Sequence, residues 1–181
     1  MKTTFITFLA LLMFALSSQP SIAQTTESNS DLAMKSTEVL MSMLEDAPDI
    51  QAYYNNSYGY AVFPKVTKGG ITIGAAAGKG VVYKNHEIVS ASKFKQFTLG
   101  YQFGVQQYSE VIFFQNEEAF AQFMNKKVKL DAQASAVAFK AGSSGDATFT
   151  YGIGIFTQPI GGLMFEAAVG LQCFKNEPIS N

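Results

Sequence analysis

Side chains able to do chemistry are few in this sequence. It holds one His, one Cys, thirteen Lys and no Arg. A single imidazole and a single thiol cannot build a tetrahedral zinc cage, a CxxC redox pair or an intrachain disulfide framework, so no metal and no cofactor is expected. His86 falls in Lys84-Asn85-His86-Glu87, a turn sequence in which a lone His is usually solvated. The glycine-rich stretch GAAAGKG at residues 74–80 fails the phosphate-loop pattern twice. Ile73 stands where the first Gly is required, and Gly80 where Ser or Thr must reach the metal. Gly152-Ile153-Gly154 lacks the third Gly of a dinucleotide fingerprint, and Pro159 interrupts the helix that should follow. No Ser sits in a G-x-S-x-G elbow. No close pair of strand-borne carboxylates suggests glycoside chemistry. No catalytic residue is expected, and the chain does not read as an enzyme.

The lysines are better organised than the acids. Lys65, Lys68, Lys79, Lys84, Lys93 and Lys95 fall in one stretch with Glu87 as its only acid. Lys65, Lys68, Lys79 and Lys84 lie at expected strand ends or turns. Gathered at one rim, they would suit phosphate headgroups, each contributing about 1 kcal/mol near an anionic surface. Ordinary solvated turns are the alternative. A net charge of −1 and the absence of guanidinium forks argue against nucleic acid as a partner. Residues 31–49 hold five acids and Lys35 as their only base, the pattern of a solvated helix face.

Several elements must position these groups. Residues 1–23 read as a secretory signal: Lys2, an apolar run twelve residues long at 5–16 broken only by Thr7, then Ser21-Ile22-Ala23 for cleavage before Gln24. Such a run is too short to span a bilayer, which takes about 20 residues. The chain is therefore expected to be exported to the periplasm or beyond, and Cys173 to be a buried thiol. Residues 24–30 read as a frayed lead-in, 31–175 as one domain and 176–181 as a tail. Asp31 can cap a helix to about Asp46 with Leu32, Val39, Leu40, Met43 and Leu44 as its stripe, and Pro48 can open a short second helix. From Tyr58 the period is two. Strands are expected at 60–66, 71–78, 81–84, 97–106, 110–114, 132–139, 148–155 and 163–174, with one helix inserted after Asn116 and a turn-rich connector at 140–146. The expected fold is α+β: N-terminal helices packed on a strongly curved antiparallel sheet, or an open β-barrel, of about seven or eight strands. Several strands pair a large apolar face with one of Gly, Ala and Thr. The small faces mark either close packing of another layer or a smooth trough for an acyl chain lined by Gly100, Gly104 and Gly152.

Tyr58 to Tyr83, YGYAVFPKVTKGGITIGAAAGKGVVY, resembles the opening signature of the SYLF domain family. Ala61-Val62-Phe63-Pro64-Lys65-Val66-Thr67-Lys68-Gly69 corresponds to its strand and turn, and Gly78-Lys79-Gly80 to its hairpin. Thr98 to Gln106 resembles its G-x-Q-x-G-x-Q strand, and Glu110 to Phe114 with Phe120 and Phe123 its next strand and helix. The resemblance spans about residues 31–174. It implies lipid binding; eukaryotic members bind phosphoinositides and in some cases actin filaments, whereas an exported protein meets neither in its own cell. Anionic phospholipid, or a membrane surface carrying it, is the partner expected here, with the four lysines on headgroups and the smooth faces or the Leu32 to Leu44 helix stripe on acyl chains. Two other classes compete: a structural envelope protein that binds a protein partner and no lipid, and a small outer-membrane barrel.

Overall fold

The computed structural model describes residues 22–125, 130–131, 149 and 151–179. Residues 1–21 of the expected signal sequence and the expected strand at 132–139 with its following connector therefore lie outside the described residues. Helix α1, Ile22–Asp46, begins nine residues earlier than expected. Residues 22–30 contain no Gly or Pro, and extending an existing helix is far cheaper than starting one. The chain divides into two units after Asp31, and the sheet with its packed helices belongs to the second, residues 32–181.

After α1 come α2 (Pro48–Asn55), β1 (Gly59–Lys84), β2 (Glu87–Phe114), α3 (Glu117–Met124), β3 (Leu130–Asp131) and β4 (Ile153–Pro178). The α+β class and antiparallel pairing are as expected. The count is not: among the described residues there is one four-stranded sheet, ordered β1-β2-β4-β3, and it is not closed into a barrel. Lys68-Gly69-Gly70, expected to separate two strands, stays paired with Gln106, Val105 and Gly104 of β2. Three expected strands thereby merge into the 26 residues of β1, and two into β2.

Such long strands fit because the sheet folds back on itself. Thr72 has φ 65° and Gly104 φ 124°, and the β1–β2 register slips between Ile71 and Ile73. A Cβ on Gly70 would lie 2.4 Å from the Gly74 Cα, so β1 doubles sharply here. Beyond the bend its two arms meet face to face. A Cβ on Gly78 would sit 2.9 Å from the Lys65 carbonyl, and one on Gly80 2.4 Å from the Val62 carbonyl. No side chain fits at either position, which is why the inner face carries glycine.

Away from the bend the apolar side chains face inward. Phe63, Phe94 and Phe174 pack between the arms with ring centroids 5.4–5.7 Å apart, and Phe123 of α3 closes on Phe174 at 4.9 Å. Asn116 caps α3 as expected, its Oδ1 accepting from the Ala119 N–H at 2.9 Å. Leu40 and Met43 of α1, with Ile50 and Tyr53 of α2, are buried against Tyr60, Val62, Val111, Phe113 and Phe156. The helix stripe expected to meet acyl chains is therefore committed to the core.

Candidate functional site

At the bent end the usual arrangement is reversed. The inward side chains are polar: Lys68, Gln96, Thr98, Tyr108, Glu110 and Gln172 are all buried. Gln172 Nε2 donates to Glu110 Oε2 at 3.2 Å, and the Tyr108 hydroxyl to Gln96 Oε1 at 3.5 Å. Glu110 Oε1 and Gln172 Oε1 are buried without a hydrogen-bond partner. Burial pushes the Glu110 carboxyl up to about 8, against the opposing pull of its bond to Gln172 and of the Lys68 charge. The group is thus held mainly protonated at neutral pH.

The outward side chains are large and apolar. Ile71, Ile73, Phe97, Leu99, Phe103 and Val105 are each 58–70% exposed. They fall in two sets, one on the outer face of each arm: Ile71 pairs with Phe103, and Val105 stands opposite Gly69; beyond the bend Ile73 pairs with Leu99, and Phe97 stands opposite Ala75. The backbone register continues across β4, setting Leu163, Phe165, Val169 and Leu171 opposite Val105, Phe103, Leu99 and Phe97. Six such residues on the two outer faces of one end are unusual on a protein surface and make this end the candidate interaction site.

Lysines border this end. Two residues beyond Phe97 comes Lys95, then Lys93, whose register partners are Lys79 and Lys175. All four are exposed. Glu177 bridges Lys93 at 3.1 Å and Lys175 at 2.8 Å, and those hydrogen bonds, that of Lys175 foremost, hold its carboxyl down at about 2. Lys65, on the facing arm, is exposed and its carbonyl lies against Gly78.

Of the four lysines singled out from the sequence, Lys65 and Lys79 are exposed behind the bent end, on facing arms of β1. Lys68 is not at a solvated turn: it is 7% exposed and points into the polar interior beside Glu110. Lys84 sits at the distant hairpin, its Nζ 5.0 Å from the Tyr58 ring centre, and the hydrogen bond to Tyr58 raises its pKa. The three glycines do not line one groove. Gly100 pairs with Ala168 within the sheet, Gly104 forms part of the bend, and Gly152 (φ 76°) occupies the turn before β4, against Ala119 and Asn116. Cys173 is exposed, a correction to the buried thiol expected. Period two turns it outward between the inward Gln172 and Phe174. His86 is exposed in its turn, as expected, and Nδ1 lies 2.9 Å from the Tyr54 hydroxyl. Lys93, Lys95 and the outward apolar set were missed as site residues. Their alternation was visible, but alternation alone does not say which face is buried.

Fold and site together define an α+β domain built on one folded-over antiparallel sheet with an apolar, lysine-bordered end. Among the described residues no group of three or more His, Cys, Asp or Glu could hold a metal ion. Residues 95–168 match the family model of the Ysc84 domain, described as "Las17-binding protein actin regulator". This is the SYLF family, so the match bears out the resemblance over a segment that runs from Lys95 in β2 into β4. No curated protein matches the chain.

Proposed function

We propose that this protein is a non-enzymatic, exported module that binds anionic lipid surfaces. The observation supporting this best is the bent end with its exposed Ile71, Ile73, Phe97, Leu99, Phe103 and Val105, bordered by Lys65, Lys79, Lys93 and Lys95. An apolar end beside clustered cations suits a phospholipid surface, where lysines meet phosphate at about 1 kcal/mol each. The SYLF resemblance favours the same reading. Lys65 and Lys79 remain headgroup contacts, joined by Lys93 and Lys95. Lys68 is replaced in that role because its charge faces inward.

The rival is a module that binds only a protein partner, as the family's description would suggest. Flotation with vesicles separates the two. The lipid reading expects the protein to float with vesicles containing phosphatidylglycerol, less with phosphatidylcholine alone, and to be released by salt as the Debye length shortens. A protein that stays at the bottom of every gradient has no lipid-surface function.

A further inference from the structure

The bent end differs from an ordinary sticky surface in one respect: it is inside-out. Six large apolar side chains face outward while Lys68, Gln96, Thr98, Tyr108, Glu110 and Gln172 are turned inward and buried. In water both choices cost free energy, because apolar area stays hydrated and polar groups are desolvated. In hydrocarbon both reverse for the side chains: the outer ones are solvated by acyl chains, and the polar ones are best kept inside, as on the strands of membrane barrels. The reversal is local. The next inward positions of the same strands hold Phe63, Phe94 and Phe174.

Lengths agree with a shallow immersion. Phe97 to the bend near residue 101 is four residues, about 13 Å at strand rise, and Val105 is the same distance along the returning arm. A single leaflet offers about 15 Å, half of a core about 30 Å thick. Lys95 and Lys93 follow at the depth of the phosphates, where strand ends meet the interface. The lysines set behind the apolar end match the depth of anionic headgroups, and this complementarity favours a lipid leaflet over a second copy of the chain as the occupant.

We propose that the folded end of the sheet, presented by Ile71, Ile73, Phe97, Leu99, Phe103 and Val105, is a membrane wedge that inserts into the acyl region of one leaflet. This deepens the lipid-surface reading and rests on it for the choice of occupant, but insertion and headgroup attraction are measured separately.

The test places an environment-sensitive NBD label on a full-length Cys173→Ser, Leu99→Cys variant, with Asn55→Cys on α2 as the distant control. Each is added to phosphatidylcholine vesicles with and without phosphatidylglycerol, and to uncharged dodecyl maltoside micelles. The label at residue 99 should shift to the blue, and a quencher deep in the acyl chains should act on it more strongly than one at the headgroup. The label at residue 55 should stay water-like. Replacing Phe97 and Phe103 by Ser should leave the melting temperature close to the parent's, since both rings are exposed, and weaken vesicle binding by about tenfold or more. A residue-99 label that stays water-like on vesicle-bound protein and in micelles overturns the wedge. So does a label already blue without lipid in a protein that sediments as a dimer, because a second copy then covers the face. Blue-shifted label with equal binding to neutral and anionic vesicles leaves the wedge standing and removes the headgroup assignment instead.

Discussion

Glu110 is the residue whose surroundings depart furthest from water. It is 1% exposed, and its carboxyl is raised to about 8, first by burial. Unfolded, the group loses its proton near the ordinary carboxyl value; folded, it keeps it until about 8. Between those values the native state binds more protons, so this group's contribution to stability is intact at acid pH and is lost as pH rises through about 8. The parent should therefore melt progressively lower from about pH 5 to about pH 9, and Glu110→Gln should flatten that slope. Gln has no charge to ionise, and its amide can donate to the unpartnered Gln172 Oε1. Melting curves across that range check it; equal slopes in the two proteins would mean Glu110 is charged or hydrated in the fold. Gly152 offers a second residue-scale outcome. Its φ of 76° and the 3.2 Å gap from a Cβ to the Ala119 side chain make Gly152→Ala strained, with an expected loss of about 1–3 kcal/mol by denaturant titration.

At the scale of elements, the close approach of the two β1 arms has a direct consequence. A methyl group at residue 80 would sit 2.4 Å from the Val62 carbonyl and 2.5 Å from the Phe63 ring, whereas at residue 161 nothing lies within 4 Å. Gly80→Ala should cost about 1–3 kcal/mol through overpacking, and Gly161→Ala only a few tenths either way. Comparable losses in urea titrations of both variants would contradict face-to-face packing of the arms. The sequence made part of this legible. Period-two alternation located β1, β2 and the 163–174 part of β4, and Asn116 with Glu117 and Glu118 marked the start of α3; it misread Tyr151 and Gly152 as strand, where positive φ makes a turn and β4 begins at Ile153. What it did not reveal was that Lys68-Gly69-Gly70 continues a strand into a bend, because a Gly pair serves a turn and a sharply folded strand equally well. Nor could alternation orient the 97–105 stretch. Thr98 and Gln96 look like a solvent face, and only the facing arm, from which Tyr108 reaches Gln96, makes them interior.

Among the described residues polarity is graded along the sheet, from an aromatic core near α3 to the polar interior and apolar exterior at the bend, with lysines between. Such a gradient separates two lysine roles that looked alike in the sequence. Lys65, Lys79 and Lys95 are exposed, while Lys68 is buried beside Glu110. Exposed charges add little to stability, so Lys65→Gln, Lys79→Gln and Lys95→Gln combined should leave the melting temperature nearly unchanged. At about 1 kcal/mol each on an anionic bilayer, their joint loss should weaken binding to phosphatidylglycerol vesicles by about 100-fold at low salt. The difference from the parent should shrink as salt is raised, because screening removes from the parent what the variant already lacks. Lys68→Gln should behave oppositely. It removes a cation that faces Glu110 inside the fold, so its effect should fall on the melting temperature and leave vesicle affinity near the parent's. Vesicle flotation in a salt series, run beside thermal melts of both variants, reads the two roles apart. If Lys68→Gln weakens vesicle binding as much as the triple variant while melting like the parent, Lys68 reaches the surface in solution and the inside-out end is not the form that meets lipid.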